Sequence, residues 1–139
     1  MAKETMQPPK KSETKRTILI VEDDELLRGV LRDELESEGF TVLDAKDGKM
    51  GLEMATSGVV DLILLDVVMP NMNGMKMLQK LREYETGDQI PVILLTNLND
   101  PEKVAEATIE RNVVDYLVKS DWSLKDVSKK VKATLGLTT

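Results

Sequence analysis

The sequence predicts a single α/β domain with a parallel sheet covered by helices on both faces. From Thr17 onward, short apolar runs alternate with amphipathic stretches five times. The central runs, Ile18–Val21, Leu62–Leu65 and Val92–Leu95, are apolar throughout, as strands buried on both faces must be. The connections are short, and right-handed crossovers then lay successive strands parallel.

The elements follow in order. Residues 1–16 are polar, carry Pro8-Pro9 and hold four Lys and one Arg against two Glu. They read as a disordered N-terminal arm ahead of a domain spanning 17–137. A first strand leads into Glu22-Asp23, and Asp24 caps a first helix running to Glu38. Leu27, Val30, Leu31 and Leu35 form its expected apolar stripe, and Gly39 suits its C-terminal cap. Strand 2, Thr41–Ala45, is short and more polar, as befits a sheet edge. Asp47-Gly48 opens helix 2, which ends near Ser57-Gly58. Strand 3, Asp61–Leu65, leads into Asp66, and a loop to Asn73 precedes helix 3, from about Gly74 to Glu85. Strand 4, Ile90–Leu95, leads into Thr96. Asp100-Pro101 reads as a cap with proline at the first helical position, opening helix 4, which closes at Asn112. Strand 5, Val113–Val118, leads into Lys119. Ser123 and Asp126 resemble a capping box for helix 5, whose buried stripe is Leu124, Val127, Val131 and Leu135 and which ends at Gly136.

Composition narrows the chemistry. The chain has 139 residues and a net charge of −6, which argues against nonspecific binding to nucleic acid or an anionic membrane. It holds no histidine and no cysteine. Imidazole bases, phosphohistidine, the usual zinc sites and disulfides are therefore excluded. The absence of cysteine, of a long apolar stretch and of a signal-like N-terminus suits a cytoplasmic protein.

Oxygen chemistry remains. In open α/β sheets, ligands bind beyond the carboxyl ends of the strands. There the pattern places Glu22, Asp23 and Asp66, with Thr96 and Lys119 from the later strands. At roughly 4 Å and an effective dielectric near 20, each close carboxylate pair costs about 4 kcal/mol before relaxation. Such a cluster persists if a cation neutralises it or a proton is shared. Mg²⁺ fits, since it takes few protein carboxylates and bridges to phosphate oxygens. Asp66, alone at the centre of the edge, is the best candidate nucleophile toward a phosphoryl group. Thr96 and Lys119 would stabilise charge on the transferred group.

The segments 18–24 (ILIVEDD), 64–74 (LLDVVMPNMNG), 94–97 (LLTN) and 115–119 (DYLVK) resemble the receiver domain of two-component response regulators. The resemblance implies a flavodoxin-like doubly wound (βα)5 fold with strand order 2-1-3-4-5, an order taken from the family. It implies that Asp66 is phosphorylated from a phosphohistidine on a sensor histidine kinase or histidine phosphotransfer protein. Asp23, Asp66 and the Val68 carbonyl would bind Mg²⁺ directly, with Glu22 acting through water. Thr96 would turn onto the phosphoryl group, and Tyr116 would follow from an exposed to a buried rotamer. That motion would reshape the face of helix 4, strand 5 and helix 5 for an output protein. The protein would be a monomer or a phosphorylation-dependent homodimer. It would be no enzyme beyond its own phosphoryl transfer and slow dephosphorylation.

Three features depart from the family pattern, at four positions. Ser120 stands where proline usually follows the lysine, and Asn97 where a small residue is usual. Val68 and Leu98 put no polar side chain beside the site to orient an attacking water, so self-dephosphorylation is expected to be slow.

Competing readings fit less well. Aspartate-nucleophile phosphatases place Asp-x-Asp after the first strand, whereas Asp66 follows the third and Val68 is its second neighbour. Nucleotide-binding modules of similar fold need a glycine- or hydroxyl-rich loop after strand 1, where this chain has acids. A receiver serving only as a protein scaffold rests on Ser120 and Asn97 alone. A stand-alone regulator and a piece of a larger regulator or hybrid kinase both remain open.

Overall fold

The computed structural model describes residues 15–67, 69, 72–96, 113–118 and 122–137. Five strands form one sheet: β1 (Thr17–Val21), β2 (Thr41–Ala45), β3 (Leu62–Asp66), β4 (Val92–Thr96) and β5 (Val113–Val118). All neighbours are parallel, in the order β2-β1-β3-β4-β5. The expected architecture and strand order are both found. Between the strands run α1 (Glu25–Ser37), α2 (Gly48–Ala55) and α3 (Gly74–Leu81), and a C-terminal helix spans Leu124–Thr134. The predicted helix 4, the N-terminal arm through residue 14 and the Lys119-Ser120 bond lie outside the described residues.

Alternation along the strands divides the core in two. Leu19, Val21, Ile63, Leu65, Val92 and Leu94 face α2 and α3, where Met77, Leu78 and Leu81 are fully buried. Ile18, Ile20, Leu62, Leu64, Ile93 and Leu95 face the other way, against Leu31 and Leu35 of α1 and Val127 and Val131 of the C-terminal helix. With side chains alternating faces at each residue, both faces must be apolar when both are covered.

The helix ends bear out the capping signals. Asp24 accepts from the amides of Leu26 and Leu27, and Asp47 from Met50. Asn73, which the sequence gives only as the end of a loop, also caps its helix by accepting from Lys76. Ser123 and Asp126 form the reciprocal capping box. Gly39 takes φ +99° just past α1, a left-handed conformation that disfavours any side chain.

Two local expectations shift. Val30 is exposed, because the buried stripe of α1 narrows to Leu31 and Leu35 with Leu27 beside them. The third helix stops at Leu81, not near Glu85, and β4 begins at Val92. Turns take over because Arg82 donates to the carbonyls of Gly87 (2.9 Å) and Ile90 (3.1 Å), folding the chain back over Leu81. Gly87 packs so closely that a Cβ there would come within 2.3 Å of the Leu81 side chain.

Candidate phosphoacceptor and metal site

Register alone brings the acids together. Val21 pairs with Leu65, so the residues that follow, Glu22 and Asp66, stand side by side at the carboxyl edge. Asp66 pairs with Leu95, placing Thr96 one residue further along β4, and Thr96 pairs with Val118. The strand that leads into Lys119 therefore ends at the level of Thr96. Lys119 itself, Val68, Asn97 and Leu98 lie outside the described residues. The structure thus brings Glu22, Asp23 and Asp66 together and carries the backbone of Thr96 to the same edge.

The three acids can present one carboxylate oxygen each such that all lie within 4.8 Å of one another. Glu22 is fully buried, Asp66 is 4% exposed and Asp23 is open to solvent. Buried carboxylates so close together repel strongly, and a divalent cation offsets that repulsion better than any monovalent partner. The donor set is oxygen only, which selects a hard ion such as Mg²⁺ over zinc or copper. The residues fit that ion. Glu22, Asp23 and Asp66 would hold it at the sheet edge, with the exposed side of the cluster open to water.

The backbone around the cluster is pinned at several points. The Glu22 amide donates to the Ala45 carbonyl (3.0 Å), and the Glu22 carbonyl accepts from the Arg28 guanidinium (2.8 Å). The Glu22 carboxylate accepts from the Asp24 amide (3.0 Å). After Asp66, the Val67 amide donates to the Leu95 carbonyl and the Gly74 amide to the Val67 carbonyl. Gly74 lies against the Asp66 peptide, where a Cβ would come within 2.2 Å of the Asp66 carbonyl oxygen. Gly48 makes an equally close approach to the Met72 carbonyl. In the sequence Gly48 signals only the opening of a helix. Its packing role carries no local signal, since it depends on α2 meeting the loop after β3.

Beyond the site, Tyr116 is 42% exposed and lies in a shallow groove between β5 and the C-terminal helix, with Trp122, Lys129 and Lys130. Asp115 beside it is partly buried, which pushes its carboxyl up. Hydrogen bonds from Lys130 and from the Tyr116 amide outweigh that and leave it below its ordinary value.

A parallel 2-1-3-4-5 sheet with this acid cluster at its carboxyl edge is accompanied by a family match. The sequence profile of the response regulator receiver domain matches residues 18–132. This chain belongs to that family. Among its relatives, the uncharacterized transcriptional regulatory protein YkoG of Bacillus subtilis is 40% identical over 119 residues, which are 85% of this chain and 50% of YkoG. The receiver domain thus spans about half the length of the curated relatives it matches. The receiver domain of the sensor histidine kinase PA1611 from Pseudomonas aeruginosa superposes with a TM-score of 0.78 at 27% identity, covering 88% of this chain and 98% of that one. That structure has a magnesium ion coordinated in its active site cleft. The chemotaxis protein CheY4 of Vibrio cholerae gives the same TM-score and identity over 86% of this chain and 98% of its own. Receiver domains are modules of two-component signal transduction and not classical enzymes. Among the described residues no helix is long and apolar enough to cross a membrane.

Proposed function

We propose that this receiver domain stores a regulatory signal as an aspartyl phosphate on Asp66. The observation that carries the reading is the Glu22–Asp23–Asp66 cluster at the carboxyl edge of the sheet. The donor is the phosphohistidine of a sensor histidine kinase or histidine phosphotransfer protein. An Asp66 carboxylate oxygen attacks phosphorus, the phosphorus–nitrogen bond breaks, and the imidazole nitrogen leaves with the bond's electron pair.

Asp23, Asp66 and the Val68 carbonyl are the direct Mg²⁺ ligands in this reading, with Glu22 acting through water. The ion, when bound, neutralises the carboxylates and the phosphoryl oxygens so that like charges can approach. The sheet edge keeps Asp66 nearly closed to solvent, so its oxygens meet a donor from one direction only. Lys119 pairs with the phosphoryl oxygens, and the Thr96 hydroxyl bonds to one of them. Tyr116 then leaves its exposed position for a buried one, and the face of helix 4, β5 and the C-terminal helix changes shape for an output protein or a second copy. The protein works in the cytoplasm, contacts neither nucleic acid nor membrane directly, and is an independent domain over residues 17–137.

The test is incubation with acetyl phosphate and Mg²⁺, followed by intact mass. One phosphoryl group should appear on the wild type and none on Asp66→Asn. No Asp66-dependent modification would point instead to a receiver used only as a scaffold. The phosphorylated form should persist well beyond a few seconds without a phosphatase, given that positions 68 and 98 carry no polar side chain in the sequence. Rapid spontaneous decay would contradict that part of the reading. A pull-down with and without beryllofluoride identifies the output partner.

A further inference from the structure

We infer that Arg28 is a positioning residue for the acidic pair, setting the direction of Asp23 through the Glu22 carbonyl. The inference rests on reading Glu22, Asp23 and Asp66 as the Mg²⁺-binding carboxylates. Glu22 is the first residue past β1, beyond the last β1–β3 pair at Val21 and Leu65. Its amide still finds a partner in the Ala45 carbonyl. Its carbonyl is met by a side chain, the Arg28 guanidinium, at 2.8 Å.

Arg28 can make this contact because of where the helix starts. Asp24 caps α1, and the Arg28 amide donates to the Asp24 carbonyl at 2.9 Å in the first turn. The Arg28 side chain thus reaches back over one turn to the strand end. The Asp24 amide in turn bonds the Glu22 carboxylate at 3.0 Å. The two peptides between Glu22 and Asp24 are therefore held from both sides. Asp23 sits between them, exposed to solvent. Its direction toward Asp66 is the direction those peptides impose.

The choice of residue matters. A guanidinium is a charge-assisted donor with a permanent positive charge, and it stands beside a segment carrying two carboxylates. A hydrocarbon of similar length would remove this donor from the Glu22 carbonyl and loosen the Glu22–Asp23 peptide. Lysine keeps the charge and one donor.

The experiment compares the full chain as wild type, Arg28→Met and Arg28→Lys in three measurements. MgCl₂ titration by calorimetry reads metal affinity. Amide hydrogen exchange by NMR on the metal-free protein reads Asp23, Asp24, Leu19 and Ile20. Thermal melting reads global stability. Arg28→Met should bind Mg²⁺ about tenfold more weakly and exchange about tenfold faster at Asp23 and Asp24. Leu19 and Ile20 should stay at wild-type protection, and Arg28→Lys should recover most of both effects. Wild-type exchange at Asp24 in Arg28→Met overturns the inference, as does equal acceleration through β1, which marks general destabilisation. Absence of Mg²⁺ binding by the wild type would instead defeat the metal reading. The exchange pattern would then still decide whether Arg28 holds the strand end.

Discussion

Asp24 and Glu22 are two positions apart and do opposite work. Asp24 spends its carboxylate on the amides of Leu26 and Leu27, while Glu22 turns its own into the sheet edge beside Asp66. The distinction follows from the end of β1, because the last strand residues face the core and the next ones face the edge. Asp66→Asn should relieve part of the repulsion among the three acids. We expect it to raise the stability of the metal-free protein by about 1–2 kcal/mol, less than the ~4 kcal/mol of an unrelaxed pair, while abolishing phosphorylation. A higher melting temperature in EDTA checks this, and an unchanged or lower one counts against a repulsive cluster. In the wild type, added Mg²⁺ should raise the melting temperature with the logarithm of its concentration, and Asp66→Asn should blunt that rise.

At the scale of the element, the clearest constraint is Gly74 at the start of α3. The helix opens directly against the peptide that carries Asp66, and any Cβ would collide with the Asp66 carbonyl oxygen. Gly74→Ala should therefore cost about 1–3 kcal/mol and weaken Mg²⁺ binding, because only a shift of the Asp66 backbone relieves the contact. Denaturant unfolding paired with a Mg²⁺ titration separates the two effects. The capping box of the C-terminal helix offers a control remote from the acids. Ser123→Ala should cost about 1 kcal/mol by the same unfolding measurement and leave Mg²⁺ affinity unchanged.

The elements also show how far sequence reaches. Caps at Asp24, Asp47 and Ser123 were legible because a cap is a local bargain between a side chain and amides two or three residues on. The end of α3 was not, since residues 82–85 are helix-compatible and contacts further along, among them those of Arg82 with Gly87 and Ile90, divert them. Val30 reads as part of an apolar stripe, yet the width of that stripe depends on how the C-terminal helix lies against α1. Arg28 shows the same limit at the site, because its partner is a backbone carbonyl that no residue pattern advertises.

For the whole molecule, ion pairs tie α1 to the C-terminal helix. Glu38 pairs with Lys125 and Lys132, and Glu34 pairs with Lys125 and bonds Ser128. Bonds from Lys132 and then Lys125 hold the Glu38 carboxyl below its ordinary value, and the Ser123 amide does the same for Asp126. Groups whose folded-state values are depressed stabilise the fold above their unfolded values and lose that contribution as pH falls through the folded ones. Stability should therefore hold from neutrality to about pH 5 and decline below about pH 4. Lys132→Met should flatten the decline, as followed by melting temperature against pH. The effect is small, since Asp126 is exposed and Glu38 is part-exposed.

The sequence by itself determined the parallel sheet with both faces covered, the places where strands end, and the residue types waiting at those ends. Those properties follow from period, capping and the identity of single side chains, all of which are local. The tertiary structure alone decided the register that sets Glu22 against Asp66 and the depth to which each is buried. It also decided the close approaches of Gly48 and Gly74 and the reach of Arg28 to the Glu22 carbonyl. Each of these depends on the distance between segments far apart in the chain, and that distance is fixed only when both layers of the core close on the sheet.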